Sequence, residues 1–466
     1  MGPLLVIASV AVAEKPSAQD AKDIGSRREL FVDRQLVDSL DGVRLEVQQP
    51  EPQQVVLVTG EPWEGNTSAY YTIFQDGDRY RMYYRGSHWD TDQKKAAHRE
   101  VTCYAESKDG VHWIKPQLGL FEFNGSKANN IVWDGAGTHN FTPFKDTHPD
   151  CPPDARYKAL GRGRALGGGD RSSPHGLLAF QSADGIHWKL MREEPVITKG
   201  AFDSQNLAFY DPVDGVYREY HRWFNNGVRD IMVCTSEDFL NWTEPVGLRY
   251  TDDRQEHLYT NAIQRYFRAP HLLIGFPTRF LPRQGARVEP VLMSSRDGRH
   301  FYRWSQPVIP EDAPKDRRGN RSNYMTWGMV QLPDQKDELS VYATEAYYTG
   351  ADSRVRRFTF RVDGFVAATA DADNGRLVTR PLTFDGSQLE VNYQTREGGR
   401  VRVAIQDAGG QPIPGFTLQD CQPLEGDSIG RRIEWHKGKN VENLAGRPVR
   451  IVFELTDAKI YSFQFQ

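Results

Sequence analysis

Several alternating apolar runs in this chain end in a residue that can carry charge. Arg85, Arg162, Arg222 and Arg279 close four of them, and Glu345 closes a fifth. Just before or at the start of neighbouring runs stand Glu64, His139 with Asn140, and Asp203 with Asn206, while Arg229-Asp230 opens another. Gathered in one mouth, such groups suit carbohydrate chemistry. Glycosidic cleavage needs one protonated carboxyl group to assist the leaving oxygen and a second, ionised one across the ring. Amides and guanidinium groups fix hydroxyls in direction, and aromatic faces cover sugar C–H surfaces. Several arginines near one site also point to an anionic substituent, a carboxylate or a sulfate, which guanidinium binds through two parallel hydrogen bonds.

Whether these residues meet depends on the elements that carry them. Four near-copies of one turn recur: Ser107-Lys-Asp-Gly-Val-His-Trp113, Ser182-Ala-Asp-Gly-Ile-His-Trp188, Ser236-Glu-Asp-Phe-Leu-Asn-Trp242 and Ser295-Arg-Asp-Gly-Arg-His-Phe301. Each follows an extended run and precedes another, with Asp-Gly between them in three, which is a strong short-range hairpin signal. Serine and aspartate tie up turn N–H groups, and the tryptophan is an apolar wedge that needs a surface to pack on. Recurrence at intervals of about 54 to 75 residues marks a repeated four-stranded unit, and a fifth unit follows the last turn. The spacing predicts an all-β chain: a five-bladed β-propeller over residues 28–368, then a C-terminal β-sandwich over 375–466 whose strands lack the turn motif. The low-complexity stretch 367–374 reads as the linker.

In a four-stranded blade the turns after strands one and three share one face of the disc. The repeated turns therefore lie on one face, and the long connections, such as 86–100, 163–176 and 280–289, lie on the other. Long loops on a rigid scaffold carry binding and catalysis, so the pocket is expected among them. The aspartates of the repeated turns become structural rivets.

Composition narrows the function further. A net charge of -4 over 466 residues gives no basic field for general nucleic-acid or anionic-membrane binding. Residues 1–13 form a short apolar run ending in Ala-Val-Ala, an export signal without its basic start, followed by a polar, disordered leader over 14–27. A secreted or periplasmic setting is expected, with no membrane span. Cys103, Cys151, Cys234 and Cys421 follow no metal-ligand spacing and read as small packed residues, so no metal and no cofactor is expected.

The repeated units and their turns resemble the five-bladed propeller glycoside hydrolases, the superfamily of arabinanases, β-xylosidases, invertases and anhydrogalactosidases. Arg28-Glu-Leu-Phe-Val-Asp33, Gly137-Thr-His-Asn-Phe141, Gly227-Val-Arg-Asp-Ile231 and Gly275-Phe-Pro-Thr-Arg279 are similar to segments of secreted bacterial proteins described only as glycosidase-like. The resemblance implies an exo-acting glycoside hydrolase that removes a terminal sugar, acidic or sulfated sugars included, from a polysaccharide or oligosaccharide. Members usually place aspartates in blades one and two and a glutamate in blade three or beyond. Here blade one offers Glu64, blade two Asp134 or His139, and blade three Asp203. The expected roles are Asp203 as base or nucleophile, Glu345 as acid and Glu64 as the third carboxylate. Arg85, His139, Asn140, Asn206, Arg222, Arg229, Asp230 and Arg279 are expected to bind substrate. A glycoside phosphorylase and a non-catalytic glycan-binding propeller are the alternatives, and the sequence leaves the oligomeric state open.

Overall fold

The computed structural model describes residues 21–163, 175–310, 323–371 and 374–466. The expected export signal lies outside the described residues, as does the leader up to residue 20. Two compact units divide the chain: Val47–Phe365, and a second made of the segment up to Glu46 with Val366–Gln466.

The Val47–Phe365 unit is a propeller-like ring of antiparallel sheets. The first runs in order Ala69–Asp76, Arg79–Gly86, Val101–Ser107 and Trp113–Ile114, with Ile131–Trp133 added beside the third strand. The second is His139–Lys145, Tyr157–Arg162, Leu177–Ser182 and Lys189–Leu190, and the third is Leu207–Asp211, Val216–Asn225, Val228–Ser236 and Val246–Gly247. The fourth is built on Gln264–Tyr266, Ala269–Gly275, Arg287–Ser295 and His300–Pro307. A last sheet has three strands, Glu338–Glu345, Arg354–Arg361 and Glu51–Val58, so a segment from before the first sheet supplies its outer edge. On its inner side, residues 324–331 form no continuous strand and pair with Glu338–Glu345 through the isolated bridges Met325 to Ala343 and Val330 to Ser340 and through backbone hydrogen bonds such as Thr326 N–H to the Tyr342 carbonyl.

Inner edges meet through backbone. Trp327 bridges Thr72 of the first sheet and donates its indole N–H to the Ile263 carbonyl at 2.9 Å, and the Gln205 amide donates to the Tyr71 carbonyl at 3.0 Å. The leading five residues of Ala69–Asp76 are all buried, because an inner strand is covered on both faces and has no solvent side for alternation to show.

The repeated turns have one geometry. In the first, the Ser107 hydroxyl accepts from Asp109 and Gly110 N–H, and Asp109 accepts from Val111 and His112 N–H and from the His112 ring. The Trp113 indole then donates to the Gly110 carbonyl at 3.1 Å. That carbonyl also receives the Tyr342 hydroxyl of the last sheet, as Gly185 receives Tyr83 of the first and Gly298 receives Tyr220 of the third. The fourth turn position needs positive φ and lies against the incoming tyrosine. At Gly185 φ is +77 and a β-carbon would stand 2.6 Å from the Tyr83 hydroxyl. In the third turn Phe239 takes the same backbone at φ 68 and packs its ring on Phe144 of the second sheet.

The second unit departs from the expected domain limits. Residues 21–27, assigned to a disordered leader, include the strand Lys22–Asp23, paired with Leu382 and Thr383, and the buried Ile24. Arg28–Leu30 pairs with Val449–Phe465, so this segment belongs to the second unit and not to the ring. The expected linker begins inside a buried strand, Val366–Ala370. Leu389–Asp407 and Val449–Phe465, 19 and 17 residues long, pair over most of their length. They bend at register shifts and join everything into one ten-stranded network, where two separate sheets were expected.

Tyr83→Phe removes one of two donors to the Gly185 carbonyl, which keeps the Trp188 indole, and a loss of about 0.5–1.5 kcal/mol is expected from urea unfolding. Gly185→Ala should cost more, since strained backbone adds to the clash. The turn carboxylates also set an acid limit. Burial opposes ionisation of Asp238 and Asp297, but turn N–H groups and the sixth-position side chains Asn241 and His300 outweigh it and hold both at about 2. Their stabilisation is complete above the unfolded value near 4 and is lost as pH falls toward 2. Melting temperature should be flat from pH 7 to about 5 and fall steeply below about 4.

Candidate active site

A cavity of about 240 Å³ opens where the first strands begin and the second strands end, on the side of the long connections. Two bulges shape its rim. Register shifts between Ala69 and Thr72 and between His139 and Thr142, with Tyr70 and Asn140 both at φ 59. Non-glycine residues in this conformation store strain of about 1–3 kcal/mol each, and a bulge re-aims the side chains around it. Here it brings Tyr70 beneath the Arg85 guanidinium, 4.9 Å from the ring centre, and lets His139 reach the cavity wall.

His139 is the centre of the charge arrangement. Its Nδ1 lies 2.8 Å from Glu100 Oε2 and its Nε2 lies 2.8 Å from Asp203 Oδ1. Ionised carboxylates only accept, so both ring nitrogens donate and the imidazole is a cation clamped between two anions. His139 is 1% exposed and Glu100 12%, whereas the Asp203 side chain is 44% exposed and faces the opening. Burial works against the Asp203 charge, but the His139 hydrogen bond and charge, with Arg222 and Arg162, hold its carboxyl well below the usual carboxylate range. Arg222 and Arg162 approach it to 3.9 and 3.8 Å. Burial likewise opposes ionisation of Glu100, but His139 and Arg85 outweigh it and lower the pKa of that carboxyl.

The backbone that presents Asp203 is fixed from below. Asn140 donates to the Ser204 carbonyl at 2.6 Å, Asn206 donates to the same oxygen at 2.9 Å and to Phe202 at 3.2 Å, and the Ser204 hydroxyl donates to Tyr259. Both asparagines, expected to touch substrate, are buried and hold the loop instead.

Arg229 completes the wall. Its guanidinium lies 4.9, 5.2 and 5.5 Å from the rings of Phe280, Tyr259 and Phe224, and among the described residues no carboxylate comes within ion-pair distance of it. Tyr324, Tyr347 and Tyr348 extend this aromatic side, and Arg85 donates to the Tyr347 hydroxyl at 3.0 Å. Burial pushes Tyr70 and Tyr347 well above the ordinary phenol value, so both remain protonated donors at neutral pH.

Four expected site residues are elsewhere. Glu64 is buried and accepts from Tyr84 at 2.5 Å, Lys115 at 2.7 Å and the Glu61 N–H. Glu345 is buried and pairs with Arg356 at 2.6 Å. Asp230 takes the Tyr250 hydroxyl and caps Ile231 N–H, while Arg279 lies between Glu256 and Glu289. None of the four lines the cavity, because each is consumed by a buried partner of opposite charge or by a donor. Asp134 likewise pairs with Arg99. Sequence reasoning missed Glu100, and a signal for it existed: Glu100 stands directly before the third strand of the first sheet, Val101–Ser107, at the cavity end of that strand.

Replacing His139 by Gln should let the Asp203 carboxyl rise by about 1–3 pH units, read as the midpoint of its carboxyl NMR titration, because the main opposing charge is gone.

No protein-family model matches the chain and no curated protein matches it. Among solved structures it is similar to a thermostable family-43 glycoside hydrolase, at 15% identity and TM-score 0.45 over 66% of this chain and 95% of that one. It is also similar to the endo-arabinase from Bacteroides thetaiotaomicron VPI-5482, at 10% identity and TM-score 0.44 over 67% of this chain and 99% of that one. A third is the β-1,2-mannobiose phosphorylase from Listeria innocua in complex with β-1,2-mannobiose, at 12% identity and TM-score 0.44 over 75% and 94% of the two chains. Identity at this level assigns no residue a role.

Proposed function

We propose that the Val47–Phe365 unit is a five-bladed propeller enzyme that hydrolyses the glycosidic bond of a terminal anionic sugar. The observation that carries this reading is the presence of Arg229 and Asp203, unpaired with each other, in the lining of one small cavity. Arg229 is a half-buried cation with three rings around it and no carboxylate counter-ion among the described residues, an environment suited to a sugar carboxylate or sulfate. Asp203 is the exposed one of the two carboxylates lining the cavity, and its lowered pKa keeps it ionised, so it can accept a proton from the attacking water or stabilise positive charge on the ring. The neighbouring tyrosine hydroxyls serve as donors to ring hydroxyls. A volume of about 240 Å³ is below the roughly 300–1,000 Å³ of a drug-sized site, which favours one terminal ring and hence exo action. The apolar leader supports an exported protein.

One observation favours a second reading. Neither carboxyl group lining the cavity is raised in pKa, so no group matches the protonated acid that glycosidic cleavage ordinarily uses. A glycan-binding propeller without turnover would need none, and a phosphorylase would use Arg229 for phosphate.

Incubation with acidic and neutral oligosaccharides, with and without phosphate, separates the three. Free terminal acidic sugar without phosphate is expected. Asp203→Asn should lower kcat by about 10²–10⁴-fold with melting temperature retained. Unchanged turnover in that variant overturns the assignment, and saturable binding without product on prolonged incubation selects the binding module. Arg229→Gln should lower kcat/KM on the acidic substrate about 10- to 100-fold, with little change on its neutral analogue.

A further inference from the structure

Away from the cavity, the third sheet holds a second cluster that the proposed reaction does not use. Glu219 and His221 sit two apart on the strand Val216–Asn225 and so point to one face, and Cys234 on Val228–Ser236 is the direct cross-strand partner of Glu219. One ligand-capable atom from each lies within 4.8 Å of the other two, and the residues are 0%, 0% and 3% exposed. His221 Nδ1 is 2.7 Å from Glu219 Oε2, and the Cys234 thiol points at the same oxygen from 3.4 Å.

We propose that Glu219, His221 and Cys234 are three ligands of a buried zinc ion, with one coordination position left to a further donor such as water. A carboxylate, an imidazole and a thiol are a mixed O, N, S donor set that suits zinc, whereas calcium and magnesium take oxygen ligands. Two further observations point to a ligand. Glu219 Oε1 is buried and has no hydrogen-bond partner, which is costly for a carboxylate and is relieved when the second oxygen also faces a cation. The His221 Nε2 proton is donated to the Lys199 carbonyl at 2.9 Å, which presents Nδ1 toward the cluster, the outer-shell arrangement typical of metal-ligating histidines. Gly200 presses on the same ring, since a β-carbon there would stand 2.5 Å from it, so the imidazole cannot turn away. On binding, the thiol proton and any second imidazole proton leave to solvent. The Glu219 carboxylate and the Cys234 thiolate then balance the charge of the dication. The metal would staple the two central strands of the sheet whose approach loop carries Asp203.

Burial means that the ion enters with folding, so the full chain is the object of the test. Protein produced in zinc-supplemented medium should contain about one zinc per chain by elemental analysis. After unfolding with chelator, refolding with zinc should raise the melting temperature, and refolding with magnesium should not. Refolding with cobalt should give a thiolate-to-cobalt charge-transfer band. Cys234→Ser should remove the band and bring zinc to background, while Cys151→Ser keeps both. Zinc at background in the wild-type chain, both as purified and after refolding with zinc, overturns the site and leaves a buried ion pair. Survival of the cobalt band in Cys234→Ser overturns it as well. Should Cys234→Ser fail to fold, the wild-type zinc content and cobalt spectrum decide alone.

Discussion

A tyrosine hydroxyl passed from one sheet to its neighbour's turn is the contact on which the ring depends. Tyr342, Tyr83 and Tyr220 each reach the carbonyl at the fourth turn position, where φ is positive and glycine leaves room for the approach. The turn itself is rigid because serine and aspartate have already taken its N–H groups, so the carbonyl is held out at a fixed angle. Side chains at the opposite ends of the same strands can then meet across the axis. Packing supplies most of the free energy, and the hydrogen bonds decide which sheet faces which.

At the other face the controlling constraint is charge. Strand ends carry arginines, and a buried guanidinium needs an anion or a set of acceptors nearby. Arg85, Arg162 and Arg222 converge on Glu100 and Asp203, with His139 as a fourth cation between the two carboxylates. Arg279 and Arg356 are satisfied by glutamates of their own sheets. Arg229 remains, surrounded by rings. One carboxylate is thereby left exposed and ionised beside one cation available to a ligand.

Two side chains at analogous places show how burial separates structure from chemistry. Glu64 and Asp203 both precede a first inner strand, yet Glu64 is enclosed by Tyr84 and Lys115 while Asp203 stands at the opening. The difference arises in the strand geometry. Asp203 rests on a loop clamped by Asn140 and Asn206, and the bulge at His139 aims an imidazole at it.

What the chain determined alone is local and periodic. Ser-x-Asp-Gly-x-x-Trp writes the turn into seven residues, because each hydrogen bond in it spans at most three positions. The length of the intervening loops tells which face is free for a pocket, and strand-end residues such as Arg85, His139 and Asp203 follow from that. Partner choice across sheets is not periodic, so only the tertiary structure decided it. Glu345 and Arg279 share the residue types and strand-end positions of true cavity groups, and only contacts 10 to 23 residues away reveal that they are already paired. Glu100 joins His139 across 39 residues, and Cys234 meets Glu219 through strand register, with no motif to announce either. The outer strand of the last sheet and the start of the C-terminal unit are likewise drawn from hundreds of residues away. The physical reason is the same throughout: a hydrogen bond within a turn is fixed by covalent distance, whereas an ion pair between sheets is fixed only when the ring has closed.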